Sequence, residues 1–273
     1  MTVDRNAPVG VFDSGVGGLT VAREIMRNLP SEKIIYFGDT ARLPYGSKSP
    51  ETILRYSRQI IRFLREQPVK AIVIACNTAS AFALDTVRGE TDIPVIGVIE
   101  AGALVAAQKT RTKRIGVIGT EGTVSSRIHE RFLKSIDPSL SIFGKACPLF
   151  VPLVEEGWLK DPVTYEVASR YLADLKEQKI DTLILGCTHY PLLRSVIREV
   201  MGDSVELVNP AYETALELAA LLEKKGLTSS EEVPEGFPYR FFVSDLAEKF
   251  TDFANSILPY DVTMTRKIDI ENY

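Results

Sequence analysis

"KAIVIACNTASAF" (70–82) and "DTLILGCTHYPLL" (181–193) decide the fold. In each, aliphatic residues run without polar alternation, as a strand buried on both faces requires. Each run then ends on a small residue, a cysteine and hydroxyl-bearing or amide neighbours: Asn77-Thr78 after Cys76, Thr188-His189-Tyr190 after Cys187. A helix-forming stretch follows both times, led in the second case by Pro191, a favoured first-turn residue. Two thiols are therefore expected at the carboxyl ends of core strands and at the starts of helices, as two copies of one device.

Working outward, further short apolar runs read as strands at 8–12, 33–37, 94–98, 114–119, 141–146, 205–208 and 239–244. Amphipathic stretches at 17–29, 50–66, 78–88, 100–110, 123–135, 162–178, 191–200, 210–225 and 244–257 read as helices between them. That alternation predicts an α/β protein with parallel sheets. "VGVFDSG" (9–15) also matches "IGVIGTEG" (115–122) as strand, small polar turn and helix. Gly10 precedes Cys76 by 66 positions and Gly116 precedes Cys187 by 71, so two kinds of turn recur in the same order. The expectation is an internal duplication: two similar parallel-sheet α/β domains in pseudo-symmetric arrangement, with the active site in the cleft between them. Residues 1–98 plus 209–273 form the first domain and 99–208 the second. The segment 40–50 reads as loop, and 229–238 as a surface excursion.

Composition narrows the function. The 273 residues are 45% hydrophobic and 25% charged, with a formal charge of −4, so no basic excess points to nucleic acid or an anionic membrane as partner. No apolar run approaches the roughly 18 residues of a membrane span. "MTVDRNAPVGVF" lacks the segments of a secretory signal, so a cytoplasmic location is expected. There the three cysteines are expected as free thiols. With His129 and His189 as the two histidines and no CxxC pair, neither a His-rich nor a thiolate metal site is expected. "GVGG" (15–18) is neither a Walker loop nor GxGxxG, and no lysine has a recognisable cofactor context, so no cofactor is expected.

A thiol at a helix start feels the positive end of the helix dipole, which favours thiolate. Cys147, in "GKACPLF", has no such context and reads as structural. A nucleophile with a base needs one thiol, and a redox pair needs two within bonding reach. Two thiols facing one cleft suit a two-base proton exchange, in which one takes a proton from a carbon stereocentre while the other delivers one to the opposite face.

The stretches "GVFDSGVGGLTV" (10–21), "YFGDTARLPYG" (36–46), "ACNTASA" (75–81), "GVIGTEGTV" (116–124), "PLVEEG" (152–157), "LGCTHYPLL" (185–193) and "NPA" (209–211) together resemble the glutamate racemases of the cofactor-independent aspartate/glutamate racemase superfamily. The resemblance implies racemisation of glutamate, with Cys76 taking the proton from D-glutamate and Cys187 from L-glutamate. It implies that Asp13 assists Cys76, and that Glu155 and His189 assist Cys187. Ser14, Asn77, Thr78, Thr120 and Thr188 would bind the amino-acid head together with Asp13 and His189. Pro44, Tyr45, Gly46 and Ser47 would line the pocket for the side-chain carboxylate. Asp39 stands between a pocket-edge role and a local turn role. Glu156 is expected in solvent, His129 on the surface of its amphipathic helix, and Trp158 and the aromatics of 237–242 in a core or interface. The resemblance also implies closure of the cleft on substrate, supply of D-glutamate for peptidoglycan, and a homodimer. Some members need a cell-wall precursor as activator, and the short N-terminus shows no segment for one. Open alternatives are a racemase of aspartate or another acidic amino acid, a Cys-His hydrolase or transferase using Cys187 and His189, and a non-catalytic glutamate-binding protein.

Overall fold

In the computed structural model, which describes residues 4–230 and 239–273, strands and helices alternate along the whole chain. The first half runs β1 (Val9–Asp13), α1 (Leu19–Asn28), β2 (Ile34–Gly38), α2 (Pro50–Glu66), β3 (Ala71–Ile74), α3 (Asn77–Gly89), β4 (Val95–Gly97) and α4 (Val98–Lys109). The second runs β5 (Arg114–Gly119), α5 (Glu121–Ser125), α6 (Ile128–Ile136), β6 (Ser141–Ala146), α7 (Phe150–Glu155), α8 (Pro162–Glu177), β7 (Thr182–Gly186), α9 (Arg194–Met201) and β8 (Glu206–Val208). After these come α10 (Pro210–Lys224), β9 (Tyr239–Val243), α11 (Ala247–Ile257) and β10 (Thr265–Lys267).

Two parallel sheets result, ordered β10-β9-β2-β1-β3-β4 and β6-β5-β7-β8. Parallel neighbours need crossover connections, and helices supply them. The order β2-β1-β3-β4 in one sheet is the order β6-β5-β7-β8 in the other, which is the duplication expected from the two cysteine stretches. The chain after β8 returns to the first sheet: β9 pairs with β2, and Ala215, Leu218 and Leu222 of α10 join the core against β1 and β3.

Alternate residues of each central strand feed cores on opposite faces. Val9, Val11 and Val73 pack with α1, α10 and α11, while Phe12, Ile72 and Ile74 pack with α2 and α3. In the second sheet Ile118, Leu183 and Leu185 face α7, α8 and α9, while Val117 and Ile184 face α4 and α6. Burial on both faces explains why these strands carry no polar alternation.

Several expectations are corrected. The single helix expected over 123–135 is two, because Arg127 between α5 and α6 is left-handed at φ 53°. The helix expected from 191 begins as a 3-10 turn over Tyr190–Leu193. His129 is 3% exposed, not a surface residue; it shares the inward face of α6 with Leu133, four positions on. Trp158 is 47% exposed and belongs to no core, whereas Tyr239, Phe241 and Phe242 are buried. The edge strand β10 carries no aliphatic run and gave no signal in the sequence. Apart from Ser229 and Ser230, the excursion expected at 229–238 lies outside the described residues. Among the described residues no helix is long and apolar enough to cross a membrane.

Candidate active site

Register places the two cysteines in equivalent positions. Phe12 pairs with Ile74, so two residues further on Ser14 stands opposite Cys76. Gly119 pairs with Gly186, so one residue further on Thr120 stands opposite Cys187. Cys76 is the N-cap of α3, its sulfur accepting from the Ala79 amide at 3.4 Å. Thr120 caps α5, accepting from the Thr123 amide at 3.2 Å. Both cysteines line a single cavity of about 360 Å³ at the carboxyl ends of the strands, the edge at which open parallel sheets bind ligands.

On the Cys76 side, Asp13 is fully buried at the end of β1. Its Oδ2 accepts from the Gly15 amide at 3.0 Å, and its Oδ1 has no hydrogen-bond partner. Burial raises its proton affinity above that of an ordinary carboxyl, against the opposing pull of His189 and the amides of Gly18, Gly15 and Ser14. The Cys76 thiol donates to Ser14 Oγ at 3.7 Å. Burial, then the charge of Asp13, pushes that thiol up to about 12, with the Ala79 amide and Ser14 acting in the other direction. Cys76 is therefore a proton holder beside a carboxyl able to share its proton.

The Cys187 side is built differently. Its sulfur lies 3.8 Å from His189 Nδ1, and His189 Nε2 lies 3.1 Å from Glu155 Oε1. Burial works against a charged imidazole, but hydrogen bonds to Cys187 and Glu155, and their charges, raise His189 to about 10. The hydrogen bond from His189 in turn holds Glu155 below the usual carboxylate range, against its partial burial. At neutral pH this side carries an imidazolium between sulfur and carboxylate.

The two halves touch around the cavity through small groups. Thr78 Oγ1 is 3.0 Å from Thr120 Oγ1 and 3.1 Å from Thr123 Oγ1, a hydroxyl triangle joining α3 to α5. Thr20 Oγ1 donates to the Thr188 carbonyl at 2.9 Å. A Cβ on Gly17 would lie 2.3 Å from Thr188 Oγ1 and 2.5 Å from His189, and one on Gly46 would lie 2.6 Å from the Thr120 Cβ. Glycine at these two positions is what lets the halves close on each other.

Of the residues singled out in the sequence, Ser14, Pro44, Tyr45, Gly46, Ser47, Asn77, Thr78, Thr120, Glu155, Thr188 and His189 line the cavity with the two cysteines. Asp13 does not; it sits behind Cys76. Asp39 is also off the wall: it is fully buried and accepts from Arg42 Nε at 2.8 Å, from Ser244 Oγ at 2.9 Å and from the Tyr45 hydroxyl. It thereby pins the 40–47 loop, the local role of its two readings. Cys147 is buried away from the cavity, its thiol donating to the Lys145 carbonyl at 3.7 Å. Leu43, Glu121, Pro148, Val151, Pro152 and Gly186 complete the lining without having been singled out. Leu43, Glu121, Pro152 and Gly186 lie inside the quoted stretches, which was their one signal; Pro148 and Val151 had none. No lysine or arginine is among the lining residues, so anionic groups of a ligand would meet neutral donors and helix starts. Among the described residues no three His, Cys, Asp or Glu side chains group as a metal site.

A sequence profile of the Asp/Glu/hydantoin racemase family matches residues 16–218. A glutamate racemase from Geobacter metallireducens is 51% identical over 250 residues, 92% of each chain. A crystal structure of a glutamate racemase isoform from Bacillus anthracis superposes with a TM-score of 0.93 at 41% identity, covering 97% of this chain and 98% of that one. That of the Francisella tularensis glutamate racemase in complex with D-glutamate superposes at 0.91 with 38% identity, covering 98% and 100%.

Proposed function

We propose, from the premise that this chain belongs to the Asp/Glu/hydantoin racemase family and within it to the glutamate racemases, that it interconverts L- and D-glutamate by proton exchange between two thiols. The observation that carries the reading is the placement of Cys76 and Cys187 at matching registers of two like sheets, on the wall of one cavity. Cα of the bound amino acid sits between them. With D-glutamate, Cys76 passes its proton to Asp13, and its thiolate removes the α-proton. The Cys187 thiol then donates a proton to the opposite face. With L-glutamate the roles exchange: His189, held by Glu155, serves Cys187, and the Cys76 thiol is the donor.

No step of this scheme drains the carbanion's charge into a cofactor, so positioning and electrostatics must lower the barrier. The starts of α3 and α5, with Asn77, Thr78, Thr120 and Thr188, offer donors to the α-carboxylate, and the backbone of 44–47 offers them to the distal one. A preorganised donor is worth about 2.7–4 kcal/mol to a developing charge. Holding both sulfurs against one carbon is worth about 7–11 kcal/mol in favourable cases. These figures overlap and do not add.

The test is hydrogen exchange at Cα. In D₂O the protein should incorporate deuterium into either enantiomer of glutamate and equalise the two by polarimetry, and do neither with aspartate. Racemisation of aspartate at a comparable rate would move the substrate assignment to the wider class of acidic amino acids.

The Cys187–His189–Glu155 chain, with contacts of 3.8 and 3.1 Å, also has the form of a nucleophile, base and orienting carboxylate. That second reading is a hydrolase or acyl transferase. It gives Cys76 no task, and an acyl group trapped on Cys187 would establish it. The racemase reading carries further proposals: domains of 1–98 plus 209–273 and 99–208 closing on the substrate, a cytoplasmic homodimer, and D-glutamate supplied to peptidoglycan. Sedimentation with and without glutamate checks the assembly and closure. Rescue of a D-glutamate-requiring bacterium checks the supply.

A further inference from the structure

A second cavity, of about 450 Å³, lies beside the first between α7 and α11. Glu155 lines both cavities. Opposite it on α11 stand Lys249 and Phe253, one helical turn apart and on one face. Phe253 packs against a core of the first sheet and against the core beside α7, so α11 bridges the halves at this point. The charged groups facing Glu155 are His189 from the first cavity and Glu156, Asp252 and Lys249 around the second. Lys249 is the sole cation among the residues lining that second cavity.

We propose that Lys249 is a positioning residue for the proton relay of the opposite half: across the second cavity its charge holds Glu155 as the carboxylate that orients His189 toward Cys187. This rests on the reading of Glu155 and His189 as the relay of Cys187. Phe253 fixes the helix from which the charge acts, so the lysine needs no direct contact. The charge of Lys249 favours the ionised form of Glu155, on top of the larger effect of the His189 hydrogen bond. Through Glu155 it supports the imidazolium. Half of the Cys187 machinery would then depend on a helix that follows the strands of the other sheet.

The experiment uses the full chain and the variants Lys249→Met and Lys249→Arg. Histidine ring resonances are followed against pH. The chain has two histidines, and burial pushes His129 down to about 4, so the His189 signal stands apart. Lys249→Met should lower the His189 midpoint, and Lys249→Arg should restore it. In parallel, kcat/KM should fall about twofold to fivefold in Lys249→Met at low salt, the range for a partly exposed charge pair. The deficit should shrink at about 1 M salt, where such charges are screened. A His189 titration unmoved in Lys249→Met, or moved equally in Lys249→Arg, overturns the proposal. Failure of the racemase reading shows separately, as absence of Cα exchange in the wild-type protein, while the titration remains measurable.

Discussion

Asp13 ends β1 behind Cys76, and at the matching register of the other sheet stands Gly119. The two halves thus share strand order, turn and thiol, but not the group that manages the thiol's proton. In the first half it is a buried carboxyl supplied by the central strand itself. In the second it is an imidazole two residues past the cysteine, braced by a carboxylate on α7. A duplicated scaffold had to bring a thiol to each face of one carbon, and symmetry serves that need. It had no need for the proton relays to match, since each thiol exchanges protons with its own surroundings. The difference teaches that the pseudo-symmetry is a property of the backbone and the sulfurs, while the relays were fitted to each side separately.

The comparison breaks most sharply on the thiols. Cys76→Ala and Cys187→Ala should each reduce racemisation by roughly 10⁴-fold or more, at or beyond the upper range for a positioned proton-transfer group. In D₂O, Cys187→Ala should still exchange the α-proton of D-glutamate without inverting it, and Cys76→Ala should do so for L-glutamate. Near wild-type turnover in either variant ends the two-thiol scheme.

Next come the relays. Asp13→Asn and His189→Gln should each cost about 10²-fold. The enantiomers of glutamate have equal free energy, so kcat/KM must fall equally in both directions whichever relay is damaged. The side of the damage shows instead in the primary isotope effect on substrate deuterated at Cα. It should grow with D-glutamate for Asp13→Asn and with L-glutamate for His189→Gln. The same pattern in both variants would mean that each relay serves both thiols.

A smaller effect tests how closely the halves must approach. Gly17→Ala puts a Cβ 2.3 Å from Thr188 Oγ1, so the turn carrying Cys187 and His189 must move. A displacement of about 1 Å at a catalytic group costs up to about 10²-fold, and the loss should lie in kcat, with substrate affinity less affected. Unchanged kcat would show that the Cys187 turn tolerates the shift.

The smallest effect is on stability. His189 is raised to about 10, so its charged form contributes stability in full below about pH 6.5, its ordinary value, and loses it as pH rises toward 10. Chemical unfolding of the wild type and His189→Gln should show a gap that narrows over that interval and levels off above it. A gap independent of pH would mean that the imidazole packs there without its charge.

Much of the site was legible because it lies on strand ends. An aliphatic run followed by a cysteine and a helix start fixes where a side chain projects, and eleven of the non-cysteine residues singled out do line the cavity. Asp13 was legible as a residue but not as one set behind the wall, since strand alternation does not say which neighbour a buried carboxyl faces. His129 was misread because a histidine in "SSRIHERF" looks solvated until α5 ends at Arg127 and the new helix turns it inward. Nothing local marked Lys249 or Phe253, whose surroundings are made by residues about a hundred positions away.

By itself, the sequence determined the strands, the parallel α/β class, the doubled cysteine turn and the residues of the small-polar loops. All of these follow from local pattern, because a run of aliphatic residues and the residue that ends it are read over a few positions. Only the tertiary structure decided that both sulfurs share one chamber, that Asp13 stands behind one and His189 with Glu155 beside the other, and that α11 crosses to the opposite half. Those facts depend on long-range packing and on burial, which sets proton affinities through the loss of water and is not written at any single position of the chain.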